Sequence, residues 1–400
     1  MDPIVFMYWL NLAWLGVLLY YAGNLLESSR RRWWVHPLLQ ERERKGQFSQ
    51  LYRDLRRHPP KFFNYCRMSV SVFDKLLEML RPHLQKKDTR LRKSITPEEQ
   101  LLITLRFLAT GQSYASLHLT FRVGKSTVAN IVNRTSRVIW SKLVEKYMPV
   151  PDSKKWIEVA ELFWDRCNFP NCLGAIDGKH VRLQKPARSG SLYFNYKKYF
   201  SLVLLAVADA DYKFVYVDVG SYGGSSDSGI FRRSRLHGLL NEDRLDIPGD
   251  KPWPGRTSPS YPYVFVGDEA FALSHHVMRP YGMRGLGRQQ RVFNYRLTRA
   301  RRMVECTFGI MSNKWRMFHS PLQLSPANAT AVVKAACILH NFVRQEQGYN
   351  LQHADMDYLP QIRRYATRGR VQAQRNRDRL AQYFLSPEGY FPYQDIIVPL

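Results

Sequence analysis

Three carboxylates stand out by position. Asp177 closes the short apolar run Cys172–Ile176 in AIDGKH, Asp268 closes a second run in VFVGDEAF, and Glu305 follows 37 residues later in the helical stretch RRMVECTFG. A carboxylate at the end of an apolar strand faces a cleft, where loss of water makes its charge costly unless a cation binds. Three such groups converging suit two divalent metals roughly 4 Å apart, one activating water or a 3′-hydroxyl and the other stabilising the leaving oxygen of a phosphodiester. Hard oxygen donors match Mg2+ or Mn2+. Spacing alone does not single out the set, because Asp209, Asp211, Asp218, Asp227 and Glu269 offer the same chemistry.

The elements that must position these acids change character along the chain. Residues 36–65 are polar and basic with a break at Pro59–Pro60, read as a linker or loose helices. Ser69–Leu84 repeats apolar residues on one helical face, and Thr96-Pro97-Glu98-Glu99 is a strong helix start before Leu101–Ala109. Tyr114–Phe121 and Ser126–Val144, separated by a tight turn with Gly124, read as a helix-turn-helix-like unit within 112–144. Ser126 is the expected cap, and Lys125, Thr127, Asn130, Asn133 and Arg134 offer polar groups to a DNA groove; a three-helix core without DNA contact gives the same pattern. After a Pro- and Lys-rich loop at 149–155 come β-rich runs at Leu202–Ala208 and Phe214–Val219, read as a hairpin around Asp209–Lys213. Tyr263–Val266 is a further short strand, and Arg296–Trp315 and Asn328–Val343 are helical.

Charge narrows the partner. The 400 residues carry 60 Lys plus Arg against 33 Asp plus Glu, a net +27, which favours a polyanion such as DNA. Apolar residues at 45% exclude wholesale disorder. The five cysteines, 66, 167, 172, 306 and 337, form neither a paired zinc pattern nor a disulfide framework, so they read as reduced thiols. Residues 3–26 carry no charge and are long enough to cross a bilayer, and Arg30, Arg31 and Arg32 follow. Asn11, Gly16 and Asn24 dilute the segment, so a helix buried against the rest of the fold is the preferred reading and a membrane is disfavoured as a partner. The Arg run suits nuclear import equally well.

Several blocks, in order, make the chain recognisable. They are AIDGKHVRL at 175–183, YFNYKKYFSLVLLAVADADYKFVYVDVG at 193–220, GSSDSGIF at 224–231, VGDEAF at 266–271, VECTFGIMSNKWRMF at 304–318 and ILHNFV at 338–343, with CRMSVSVFDKLLEML and TPEEQLLITLRFLATG upstream. Across most of residues 60–345 the sequence resembles the PIF/Harbinger DDE transposases and the nucleases domesticated from them. The resemblance implies an α/β fold: an RNase H-like mixed sheet with the first acid on its central strand, preceded by an all-helical domain. It carries the catalytic and metal-binding triad onto Asp177, Asp268 and Glu305, with two Mg2+ or Mn2+ ions, and implies metal-dependent hydrolysis of DNA, with strand transfer as an extension. A Myb-like DNA-binding partner, a homo-oligomer and a nuclear location, with cytoplasm as a second compartment, are further implications. The rival reading is a catalytically silent adaptor that keeps the fold and binds DNA or chromatin.

Around the triad, Lys179, Lys197 and Lys198, then Arg299, Arg301 and Arg302, are candidate phosphate contacts, with Lys125 and Arg134 in the helical unit. Arg299, Arg301 and Arg302 lie one turn before Glu305 and are placed to keep it ionised. His180 reads as packing beneath the site, and Asp227, matching a family Asp outside the triad, as a supporting group behind the ligands. The expected organisation is an apolar segment and Arg run at 1–35, a helical domain at 36–150, the nuclease domain at 170–345 and a solvated basic tail at 346–400, where 363–379 alone holds seven Arg.

Overall fold

The computed structural model describes residues 2–29, 33–90, 93–282, 285–348 and 371–398. The Arg30–Arg32 run and the tail from 349 to 370 lie outside the described residues.

The helical half begins with α1 (Pro3–Ser29), the short turns α2 (Pro37–Gln40) and α3 (Arg42–Lys45), then α4 (Gln47–Arg57) and α5 (Pro59–Cys66). The Pro pair starts α5 rather than breaking a linker, since proline at the first helical positions sacrifices no hydrogen bond. Helices α6 (Val70–Leu84) and α7 (Pro97–Thr110) begin at the side-chain caps Ser69 and Thr96. Helix α8 (Tyr114–Phe121) and helix α9 (Lys125–Tyr147) form the expected pair. The cap of α9 is Gly124, not Ser126, because the helix starts one residue earlier.

A helix absent from the sequence reading, α10 (Ser153–Cys167), leads into the sheet. Strands β1 (Cys172–Arg182), β2 (Ser201–Ala208) and β3 (Phe214–Tyr222) form an antiparallel meander. Two short helices, α11 (Asp227–Arg233) and α12 (Arg235–Asn241), follow, with a minor ribbon of β4 (Lys251–Pro252) and β5 (Ser260–Tyr261). Strands β6 (Val264–Val266) and β7 (Val277–Met278) join the other edge of β1 in parallel, giving the order β3-β2-β1-β6-β7. Then come α13 (Arg288–Lys314), α14 (Pro326–Gln347), α15 (Val371–Tyr383) and α16 (Tyr393–Ile397).

The sheet is covered on both faces, so β2 is buried along its whole length and reads as a continuous apolar run. Ala175, Leu204, Ala206 and Val266 face α13 and α14, while Ile176, Val203, Leu205 and Phe265 face α10 and α11. The first of these cores runs on without interruption through α6, α7 and α9. Asn341 on α14 locks the junction. Its side chain exchanges hydrogen bonds with both the N–H and the carbonyl of Phe214 and donates to the Tyr147 carbonyl at the end of α9.

Two expectations are corrected. Helix α1 is not buried: none of Pro3–Ala22 packs against the body. The tail is not simply a solvated arm, because Ala373, Leu380, Ala381 and Tyr383 of α15 are buried. What holds the tail is Arg296 of α13, itself fully buried. Its guanidinium donates to the Asn168 and Gly389 carbonyls and to Gln394 Oε1, and it stacks over Phe384 and Phe391.

Candidate active site

Strand register brings the first two acids together. Ala175 on β1 pairs with Val266 on the parallel strand β6, and each acid lies two residues further on, so Asp177 and Asp268 emerge side by side on the same face. Asp177 does not end its strand. β1 runs on to Arg182 against β2, and Asp177 stands where β6 leaves its other edge. Beyond β6 the chain turns sharply, with Asp268 Oδ1 accepting from the Ala270 N–H at 2.9 Å.

The remaining carboxylates approach from opposite faces. Glu305 comes from α13, exposed, with Arg301 Nη2 at 3.5 Å from its Oε1 one turn before it. Asp227 comes from the other face, in the first turn of α11, whose start is fixed by Ser226 Oγ accepting from the Gly229 N–H. An edge-to-face contact between Phe231 on α11 and Phe271 ties that helix to the turn carrying Asp268. The Asp227 carboxylate occupies the space beside Gly178: a Cβ there would stand 2.3 Å from Asp227 Oδ1.

Burial and mutual repulsion mark the cluster. Burial, then Asp268, pushes the Asp177 carboxyl up to about 7, with Arg301 opposing and Glu305 adding to the rise. Burial, then Asp177 and Asp268, pushes Asp227 up to about 8, with Lys197 opposing. The sequence reading set Asp227 behind the ligands; in the structure it lies close enough for Asp177 and Asp268 to act on its charge. The available signal was the Ser226 cap and the buried Ile230–Phe231 pair after it, which make a helix start of GSSDSGIF.

The other expected residues divide. Lys197 and Lys198 are exposed in the loop between β1 and β2, and Lys197 lies close enough to act on Asp227, Lys179 and His180. Lys179 is largely buried, its Nζ 5.6 Å from the centre of the Phe308 ring, and burial lowers its pKa. His180 packs: Nδ1 meets Ser201 Oγ at 2.9 Å and its ring abuts Tyr196, with burial bringing its pKa down to about 4. Arg299 is turned away from the acids, donating to the Arg166 carbonyl and stacking on Tyr393, while Arg302 is exposed. Arg134 donates to the His83 carbonyl, and Lys125 is exposed. Among the alternative acids, Asp209 accepts from the backbone of its own turn and Asp211 pairs with Arg166 and Lys213.

Residues 176–341, which hold all four clustered carboxylates, match the DDE superfamily endonuclease family, and residues 50–141 match a domain of unknown function. The chain is 25% identical over 314 residues to the protein ALP1-like of Arabidopsis thaliana, covering 75% of this chain and 76% of that protein. It is 25% identical over 293 residues to the Arabidopsis protein antagonist of like heterochromatin protein 1, covering 70% and 72%. Human HARBI1, whose name gives it as a candidate nuclease, is 22% identical over 285 residues, covering 70% and 76%. Residues 176–341 thus carry a DDE superfamily endonuclease domain, and over about 70% of its length the chain is similar to Harbinger-derived nucleases and ALP1-like proteins. No solved structure matches it.

The DDE endonuclease superfamily generally works with divalent metals. The donors here fit such an ion in kind: oxygen ligands only, with two of the carboxyls raised by crowding and burial, as an unneutralised anionic site requires. Their arrangement is open, since among the described residues no three His, Cys, Asp or Glu stand close enough to hold an ion outright.

Proposed function

We propose that this chain is a divalent-metal-dependent DNA nuclease of transposase origin, hydrolysing phosphodiester bonds and, in strand transfer, directing a freed DNA 3′-hydroxyl onto a second phosphodiester whose own 3′-oxygen leaves. The observation carrying this reading is the parallel register that delivers Asp177 and Asp268 side by side, with Asp227 and Glu305 closing from opposite faces. The strand order β3-β2-β1-β6-β7, antiparallel on one side of β1 and parallel on the other, supports an RNase H-like fold with its first acid on the central strand.

Asp177, Asp268 and Glu305 would hold the metal, and Asp227 is positioned to join them. Bound there, divalent cations would neutralise the scissile phosphate and lower the pKa of the attacking water. The protein's own part is to place that phosphate. Lys197 and Lys198 reach out from the loop beside the acids, Arg302 projects from the helix carrying Glu305, and the net charge of +27 draws the polyanion in. Arg301 keeps Glu305 directed along α13. Lys125, exposed at the start of α9, would be a separate DNA contact in the manner of a helix-turn-helix unit.

Cleavage of duplex DNA by the full chain with Mg2+ or Mn2+, beside Asp177→Asn and Glu305→Gln, tests the reading. Cutting that requires metal and disappears in both variants supports it. Tight DNA binding without cutting by wild type and both variants, with a Myb-like partner supplied, favours the adaptor. Glu305, exposed and paired with Arg301, is the observation on that side.

A further inference from the structure

Helix α1 poses a problem that the rest of the molecule does not solve. It is 27 residues long, about 40 Å at the usual rise per residue, and Pro3–Ala22 has a mean hydropathy of 1.6 and is nowhere buried. Ile4, Trp9, Trp14, Leu18 and Tyr20 are each more than half exposed. A helix that docks in a protein groove, or lies flat on a membrane surface, carries a polar face. This one has none: residues 3–26 hold no charge, and within Pro3–Ala22 the single Asn11 interrupts apolar residues on every side. A helix apolar over its whole circumference suits a medium apolar in all directions, and about 20 such residues match the 30 Å hydrocarbon core of a bilayer.

The flank agrees with that medium. Arg30, Arg31 and Arg32 follow the helix in the sequence, and the next residues, Trp33 and Trp34, are exposed. Basic residues and tryptophans belong at the headgroup level on the cytoplasmic side of a span. The five cysteines of the body are all free and buried, in keeping with a reducing compartment on that side.

We infer that residues 3–26 span a lipid bilayer and tether the body to the cytoplasmic face of that membrane. The inference stands on α1 and its flank, independently of the nuclease reading.

The test is flotation of the full chain, synthesised in the presence of neutral phosphatidylcholine vesicles, in a sucrose gradient containing 1 M salt. Neutral lipid and high salt remove the attraction that a +27 protein has for any anionic surface. Wild type is expected to rise with the vesicles at full length, and Leu12→Arg with Leu15→Arg to stay at the bottom, since two charges at mid-span oppose insertion while touching nothing in the body. Four results overturn the inference: wild type remaining soluble and monodisperse without detergent; in a parallel run at low salt, flotation on anionic vesicles but not on neutral ones, reversed by salt; the double variant floating as well as wild type; or a recovered mass lacking the first segment, the mark of a cleaved leader. Folding of the variant is checked by its metal-dependent DNA cutting or, if there is none, by its thermal transition, each unchanged from wild type.

Discussion

Asp227 fills the space that a side chain at Gly178 would need: a Cβ on Gly178 would stand 2.3 Å from Asp227 Oδ1 and 2.8 Å from its Cγ. Gly178 is thus the neighbour that lets an acid from α11 reach across β1 to Asp177. Gly178→Ala is expected to push Asp227 out of the cluster and to lower metal-dependent cleavage by about 10- to 100-fold, the range seen when groups supporting a metal site are lost. Asp227→Asn should lose a similar factor, and the double variant little more than either alone. Single-turnover cleavage measures this; losses that multiply in the double variant would show that Gly178 and Asp227 act separately.

Burial and crowding of the acids would make cation binding a proton-releasing event. With Asp177 raised to about 7 and Asp227 to about 8, the metal-free protein holds protons there at pH 6.5, whereas ligands to a divalent ion must be ionised. Affinity for Mn2+ should therefore fall as pH drops from 8.5 to 6, with protons released at pH 7 and none at pH 9.5. Calorimetric titration in buffers of different ionisation enthalpy reads the release directly. Heats independent of buffer at pH 7 would mean that the acids are already ionised.

How far the sequence carried the fold can be traced at particular residues. The apolar runs of β2 and β3, the apolar face of α6 and the capped start of α7 were legible because period and cap chemistry are local. The extent of β1 was not: Gly178, Lys179 and His180 look like a turn, and only pairing with β2 keeps them extended. Asp177 and Asp268 were singled out by strand ends, but their adjacency is a property of the β1–β6 register, which no local pattern encodes. The approach of Asp227 to Asp177 was not legible because the space it fills is made by a missing side chain. Arg299 read as a phosphate contact, and it is the folded tail, through Tyr393, that turns it aside. The apolar stretch at 3–26 was read as buried on composition, which describes a core helix and a membrane span equally well.

The ILHNFV block acts on stability. His340 is buried with Nε2 2.7 Å from the Tyr212 carbonyl, so the neutral ring donates there. Burial, reinforced by Arg344 and Lys314 against the opposing Tyr212 bond, brings its pKa down to about 3 from an ordinary 6.5. The depressed value fixes the sign. Above pH 6.5 both folded and unfolded chains keep the ring neutral and stability is complete. Between 6.5 and 3 only the unfolded chain takes the proton, costing about 1.4 kcal/mol per pH unit. His340→Gln, which retains a donor, should lower stability at pH 8 yet flatten this dependence. Urea denaturation at pH 8, 6 and 5 checks it, and an unchanged slope would assign the acid sensitivity to other groups.

Arg296 offers the clearest test of what holds the C-terminal segment. Its guanidinium joins the Asn168 and Gly389 carbonyls and Gln394, and stacks on two aromatic rings from the same segment. Arg296→Met keeps most of the volume but removes every donor, leaving buried carbonyls without partners at about 1–3 kcal/mol each. Lysine does not substitute, since a single ammonium cannot reach both carbonyls and Gln394 while stacking flat on Phe384. Both variants should release the segment around residues 385–398 to limited proteolysis while the sheet core stays resistant. Because α13 carries both Arg296 and Glu305, cleavage activity should fall with the loss of that anchor. Resistance of the segment in Arg296→Met would mean that α15, through Leu380 and Tyr383, holds it alone.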